Sequence, residues 1–210
     1  MRAFKSLQGR FLFNLFSRRT TISSNGIIGV RWHGRGGQGA VTSAELLAQA
    51  AIDEGKYAQA FPSFGPERRG APVQAFNRVS TKQPIRIRAG INKPEVVVVL
   101  DPGLISIVDV TSGLDEEGTL VINSRESVDE IAARLTKGKR IAVIDATSIA
   151  REKLGVPIVN TTMLGALVKA TGLVELESLF QPLENRFGRL AEKNRNAMQT
   201  AFQQTQVKER

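Results

Sequence analysis

Ile27-Ile-Gly-Val-Arg-Trp-His-Gly-Arg-Gly-Gly-Gln-Gly39, running directly into Ala40-Val-Thr-Ser-Ala-Glu-Leu-Leu-Ala-Gln-Ala-Ala-Ile-Asp-Glu54, is the stretch that decides the fold. Ile27, Ile28, Val30 and Trp32 are strand formers, and Val41, Ala44, Leu47, Ala48 and Ala51 recur at helical spacing. Between them the glycines fit G-x-G-x-x-G at Gly34, Gly36 and Gly39. Strand, glycine turn and helix in that order open an α/β unit with a Rossmann-like turn. Downstream, Glu95-Val-Val-Val-Val-Leu-Asp101, Gly118-Thr-Leu-Val-Ile-Asn123 and Arg140-Ile-Ala-Val-Ile-Asp145 are short apolar runs that each end on a polar residue. Such runs suit strands buried on both faces. They alternate with helix candidates at Leu104 to Val108, Ser127 to Leu135 and Ser148 to Leu154, which predicts an α/β fold with a mostly parallel sheet and helices on both faces.

The intervening Phe61-Pro-Ser-Phe-Gly-Pro-Glu-Arg-Arg-Gly-Ala-Pro72 is rich in turn formers, so it reads as a long loop. Antiparallel strands are expected after it at Pro72 to Val79 and Pro84 to Ala89. Asn160-Thr-Thr162 can cap a helix from Met163 to Thr171 that stops at Gly172, and a polar helical tail is expected from Leu176 to the end. The domain plan is a basic extension at 1–26, an α/β domain at 27–190 and a helical tail at 191–210.

Composition removes several function classes. The 210 residues contain no cysteine, one histidine, His33, and one tryptophan, Trp32. Without thiols the chain holds neither a disulfide nor a cysteine-ligated zinc or iron–sulfur cluster, and a serine–histidine–aspartate triad has only His33 to draw on. No apolar run approaches the roughly 20 residues that span a bilayer. The net charge is +9, and five of those charges fall on Arg2, Lys5, Arg10, Arg18 and Arg19, because the first acid is Glu45. Residues 1–26 therefore have the composition of an organelle transit peptide, a membrane-surface anchor or an extension that takes no part in the domain. Beyond residue 26 the charge is weak and aromatics are few, which argues against nucleic-acid binding.

Two segments can carry chemistry. Backbone amides of Gly34, Arg35, Gly36, Gly37, Gln38 and Gly39 can meet an anion at a helix N-terminus, or the glycines can simply permit a tight turn. A complete dinucleotide site needs an acid about 20 residues on, where Ala58-Gln-Ala-Phe61 stands instead. A phosphate-binding P-loop needs Lys-Ser or Lys-Thr where Ala40-Val41 follows Gly39. In the second segment Arg68 and Arg69 offer forked donors to carboxylate or phosphate with Glu67 beside them, or Glu67 pairs with an arginine to shape a contact. His33 reads as a packed or hydrogen-bonded residue, and Asp101 and Asp145 as caps at strand ends. Asn160, Thr161 and Thr162 read as helix caps that can also present polar groups to a ligand.

Arg31-Trp-His-Gly-Arg-Gly-Gly-Gln-Gly39, Gln59 to Arg78, Asn92-Lys-Pro-Glu-Val-Val-Val-Val-Leu-Asp101 and Asn160-Thr-Thr-Met-Leu-Gly-Ala-Leu-Val168 together resemble the gamma subunit of pyruvate:ferredoxin oxidoreductase, in the 2-oxoacid:ferredoxin oxidoreductase family. The resemblance spans about residues 27 to 190, and Arg68-Arg-Gly-Ala-Pro72 is closer to the pyruvate or branched-chain (2-oxoisovalerate) class than to the 2-oxoglutarate class. It implies a heteromeric enzyme that converts a 2-oxoacid and coenzyme A to acyl-coenzyme A and CO2 and passes electrons to ferredoxin. Thiamine diphosphate with Mg2+ is implied between alpha and beta subunits, and [4Fe-4S] clusters in the beta and delta subunits. This chain is then expected to bind no cofactor or metal alone, and to place Gly34 to Gly39, Glu67, Arg68, Arg69, Asn160 and Thr161 at a ligand or a subunit interface. The implied setting is the cytoplasm of anaerobic microbes, with organelle import through residues 1–26 as the alternative. A free-standing nucleotide-binding oxidoreductase and a basic non-catalytic adaptor are the competing classes.

Overall fold

The computed structural model describes residues 26–63, 70–87 and 89–210. Strand β1 (Ile27–Arg35) alternates as its sequence requires, with Val30 and Trp32 entering one core while Arg31 and His33 turn to the opposite face. The glycine turn leads into α1 (Ala40–Asp53). The three apolar runs become β4 (Val96–Val99), β5 (Thr119–Asn123) and β6 (Arg140–Ile144), which with β1 form the parallel centre of the sheet.

The edges are antiparallel. β2 (Tyr57–Pro62) pairs with β3 (Pro72–Ser80), β3 pairs with β1, and β7 (Gln206–Glu209) pairs with β6. The order is β2-β3-β1-β4-β5-β6-β7, so the expected mostly parallel sheet is a mixed one, with three of six pairings antiparallel. The expected strand at 84–89 is absent among its described residues. Its carbonyls are taken by side chains instead: Gln59 Nε2 donates to Ile85 O, and the Arg78 guanidinium to Ile87 O and Ala89 O. The helical tail also needs correction, because the chain leaves its last helix at Gln204 and closes the sheet with β7.

Both faces are covered, and the alternation along β4 shows how. Val96 and Val98 join the larger core with α1, α3 (Ala146–Leu154), α4 (Asn160–Thr171) and α6 (Ala191–Gln204). Val97 and Val99 join the smaller core, beneath α2 (Val128–Arg134) and the 3-10 turn Pro102–Ser106. Each leucine fully buried in these layers contributes about 1.5–3 kcal/mol. A full capping box starts α2, where Ser127 Oγ accepts from Glu130 N and Glu130 Oε2 accepts from Ser127 N. With α5 (Phe180–Phe187), helices α4 and α6 form a C-terminal bundle. Gly165 sets the α4–α6 spacing, since a Cβ there would lie 2.0 Å from Met198 O.

Candidate functional site

The chain leaves β1 over the larger core toward β2 and β3, and leaves β4 over the smaller core toward β5. The connections diverge between the carboxyl ends of β1 and β4, where an open α/β sheet has its ligand crevice. A bond from Leu100 N to His33 O, 2.8 Å long, carries the β1–β4 ladder up to that point. Beyond it the crevice is bridged by side chains. Arg35 Nε donates to Asp101 Oδ2 at 3.0 Å and Gln38 Nε2 to the same oxygen at 2.8 Å. Asp101 Oδ1 accepts from Gly103 N, so this carboxylate caps its turn and also receives the glycine loop.

Within the loop, Gly37 (φ 94°) and Gly39 (φ 82°) adopt left-handed backbone that favours glycine. Several amides are committed to protein acceptors: Arg35 N donates to Gln38 Oε1, Gly36 N to Ala71 O, and Gln38 N to Arg35 O. The Arg35 Nη1 to Gly70 O bond, at 3.2 Å, is another tie to the end of the Phe61–Pro72 segment. Gly39 also lets the N-terminus of α4 approach, because a Cβ at residue 39 would stand 2.6 Å from Asn160 Nδ2. Ser43 Oγ reaches Asn160 O and fixes the same contact between α1 and α4.

The sequence-selected residues thus separate. Gly34, Arg35, Gly36, Gly37, Gln38 and Gly39 lie together at the crevice, with Asn160 against Gly39 and Asp101 beneath Arg35 and Gln38. Thr161 turns away into the bundle, where its hydroxyl donates to Asn194 Oδ1. Asn160-Thr-Thr162 does not cap a later helix; α4 begins at Asn160, with Val159 at its N-cap and no side-chain cap bond. Glu67, Arg68 and Arg69 lie outside the described residues. Asp145 caps α3 through Ser148 N. Asn123, which sequence reasoning noted only as a strand end, donates from Nδ2 to Leu100 O and Thr147 Oγ1 and ties the ends of β4 and β5 to α3.

His33 and Arg31 form a second polar group on the smaller-core face of β1. The Arg31 Nε donates to His33 Nε2 at 2.9 Å, and Nη2 donates to Val110 O and Ser112 O. Burial, then the Arg31 charge, push the His33 pKa down to about 4 against a smaller upward pull from Asp109. The imidazole is therefore a neutral acceptor near pH 7.

The sequence offers no thiolate for an iron–sulfur cluster, and the donor set of the described residues forms no metal cage, since no group of three or more His, Asp or Glu side chains converges among them. Among those residues, no helix is long and apolar enough to cross a membrane.

A family model described as pyruvate ferredoxin/flavodoxin oxidoreductase matches residues 29–204. The chain is 55% identical over 183 residues to the pyruvate/ketoisovalerate oxidoreductases common subunit gamma of Pyrococcus furiosus, covering 86% of this chain and 98% of that one. It is 55% identical over 185 residues to the Thermococcus kodakarensis protein of the same name, 87% of this chain and all of the relative. The crystal structure of the pyruvate oxidoreductase subunit PORC of Thermotoga maritima superposes with a TM-score of 0.78 at 37% identity, covering 88% of this chain and 99% of that one.

Proposed function

The chain belongs to the pyruvate ferredoxin/flavodoxin oxidoreductase family as a gamma subunit, and on that premise we propose that it completes an assembly converting pyruvate and coenzyme A to acetyl-coenzyme A and CO2, with two electrons passed to ferredoxin. Alpha, beta and delta subunits are its partners in this reading; they hold the thiamine diphosphate and Mg2+, and also the [4Fe-4S] clusters, for which a cysteine-free chain has no thiolate ligands. The gamma chain supplies orientation and a closed approach to the site. The Pyrococcus relative is named a common subunit of pyruvate and ketoisovalerate oxidoreductases. By the same logic the partner chains select the oxoacid here, and 2-oxoisovalerate is the second substrate to assay.

One observation carries the role of this chain: the glycine loop and the end of the arginine segment are bonded together at the crevice, through Gly36 N to Ala71 O and Arg35 Nη1 to Gly70 O. That tie brings the end of the segment that carries Arg68 and Arg69 in sequence to the loop, and guanidiniums suit the phosphates of coenzyme A. We therefore assign Gly34 to Gly39, Arg68 and Arg69 to the coenzyme A approach on a face turned to the alpha subunit, with Glu67 orienting an arginine and Asn160 bracing the loop, while Thr161 serves the bundle. A free-standing dinucleotide enzyme is disfavoured, because the ribose acid is missing and Asp101 stands under the loop. In the purified complex, replacing Arg68 and Arg69 by alanine is expected to raise the coenzyme A KM about ten-fold or more, the loss of one or two charge-assisted bonds. Loss of assembly with an unchanged KM in the surviving complex would make them interface residues only.

The assembly is placed in the cytoplasm. Residues 1–26, acid-free and lying ahead of the family match, make organelle import the competing reading, and the first residue of the mature chain decides between them.

A further inference from the structure

The loop Gly34-Arg-Gly-Gly-Gln-Gly39 contains only two side chains, and both end on one oxygen of one carboxylate, Asp101 Oδ2. The other four residues are glycines, so beyond backbone bonds such as Gly36 N to Ala71 O the loop is held through these two side chains, and Gly37 and Gly39 sit at positive φ, which glycine adopts without strain. The Asp101 side chain is 19% exposed and that of Arg35 29%, so the pair lies half-buried, where a charge-assisted bond is worth more than at the open surface. Oδ1 is held by Gly103 N, which fixes the carboxylate plane independently of the loop.

We propose that Asp101 is the positioning residue of the glycine loop, acting on ligand approach only through Arg35 and Gln38. Its shared oxygen sets the guanidinium of Arg35, whose Nη1 then reaches Gly70 O, and it sets Gln38, whose Oε1 then accepts from Arg35 N. The carboxylate at the crevice is thereby neutralised by its own loop and does not repel an anionic ligand. The link to coenzyme A rests on the reading given above; the positioning itself does not.

Hydrogen exchange and kinetics on the intact complex separate the two. In Asp101→Ala, exchange at the Gly36 and Gln38 amides is expected to accelerate at least ten-fold while Val97 to Val99 stay protected, and the coenzyme A KM to rise roughly ten-fold with kcat nearly unchanged. In an Arg35→Ala/Gln38→Ala background, adding Asp101→Ala is expected to change neither quantity further, because both routes from Asp101 are already gone. Should Asp101→Ala fail to assemble, Asp101→Asn keeps the volume while placing an amide against Arg35, and the same readouts apply. Unchanged loop exchange, or an Asp101 effect that persists at full size in the double-variant background, overturns the positioning role. Faster loop exchange with an unchanged KM upholds it and instead removes coenzyme A from the loop.

Discussion

His33 makes the fold acid-labile through a single side chain, and the size of the effect follows from its surroundings. The imidazole is 3% exposed, accepts from Arg31 Nε, and has its pKa lowered from 6.5 to about 4, first by burial and then by the Arg31 charge. In the unfolded chain the same group binds a proton near 6.5, so stability is intact above that value and declines as pH falls through the window toward 4. Linkage gives a loss of about 2 kcal/mol between about pH 7 and about pH 5, rising to about 3 kcal/mol at about pH 4. His33→Gln retains an oxygen that can accept from Arg31 and removes the titration. Urea unfolding, followed by the fluorescence of Trp32, the only tryptophan, reads both chains at each pH. Carboxylates elsewhere titrate equally in both, so the difference isolates His33. The wild type is expected to lose about 2 kcal/mol more than the variant by about pH 5. Parallel pH profiles would refute a neutral, buried His33.

Two further outcomes test the packing. Gly165→Ala drives a methyl group into Met198 O and parts α4 from α6; overpacking outweighs the better helix propensity by about 2 kcal/mol, so calorimetry is expected to show Tm lower by about 4–8 °C. Asn77→Ala strips the buried Trp32 Nε1 of its acceptor and the Ala44 carbonyl of the donor it has besides its helical one. A loss of about 3 kcal/mol in urea titration is expected, with the indole emission moving to longer wavelength if water enters.

The sequence exposes the elements whose side chains all obey one rule. β4, β5 and β6 are legible because both faces are apolar, and β1 with α1 because the glycines mark the turn between two periodicities. β2 is hidden by Ala58, Gln59 and Ala60, whose strand character comes from pairing with β3 and from Phe61 stacking on Phe76 at 5.3 Å. β7 is exposed along its whole length and carries no burial pattern at all. At the crevice, the loop could be read but its anchor could not. Asp101 looks like any strand-end cap, and its partners Arg35 and Gln38 are 66 and 63 residues away. The signal that could have found it was topological: β4 is the strand on which β1 must lie if the sheet reverses there.

The odd-numbered residues of β1 extend that logic. Arg31, His33 and Arg35 share one face of the strand, and where a helix would ordinarily cover a strand that face meets the segment that follows β4. Arg35 holds the segment at its start, through Asp101; Arg31 holds it at its far end, through Val110 O and Ser112 O. Two arginines four residues apart thus lock residues 101–112 to the strand that feeds the glycine loop. A polar strand face would ordinarily be a defect in a sheet buried on both sides. Here every guanidinium named has an acceptor, the histidine between them stays neutral, and the crevice at the strand's end inherits a fixed floor. The same alternation that sends Val30 and Trp32 into the larger core therefore sets where the loop sits, and the site is positioned by the side of β1 that the hydrophobic pattern leaves out.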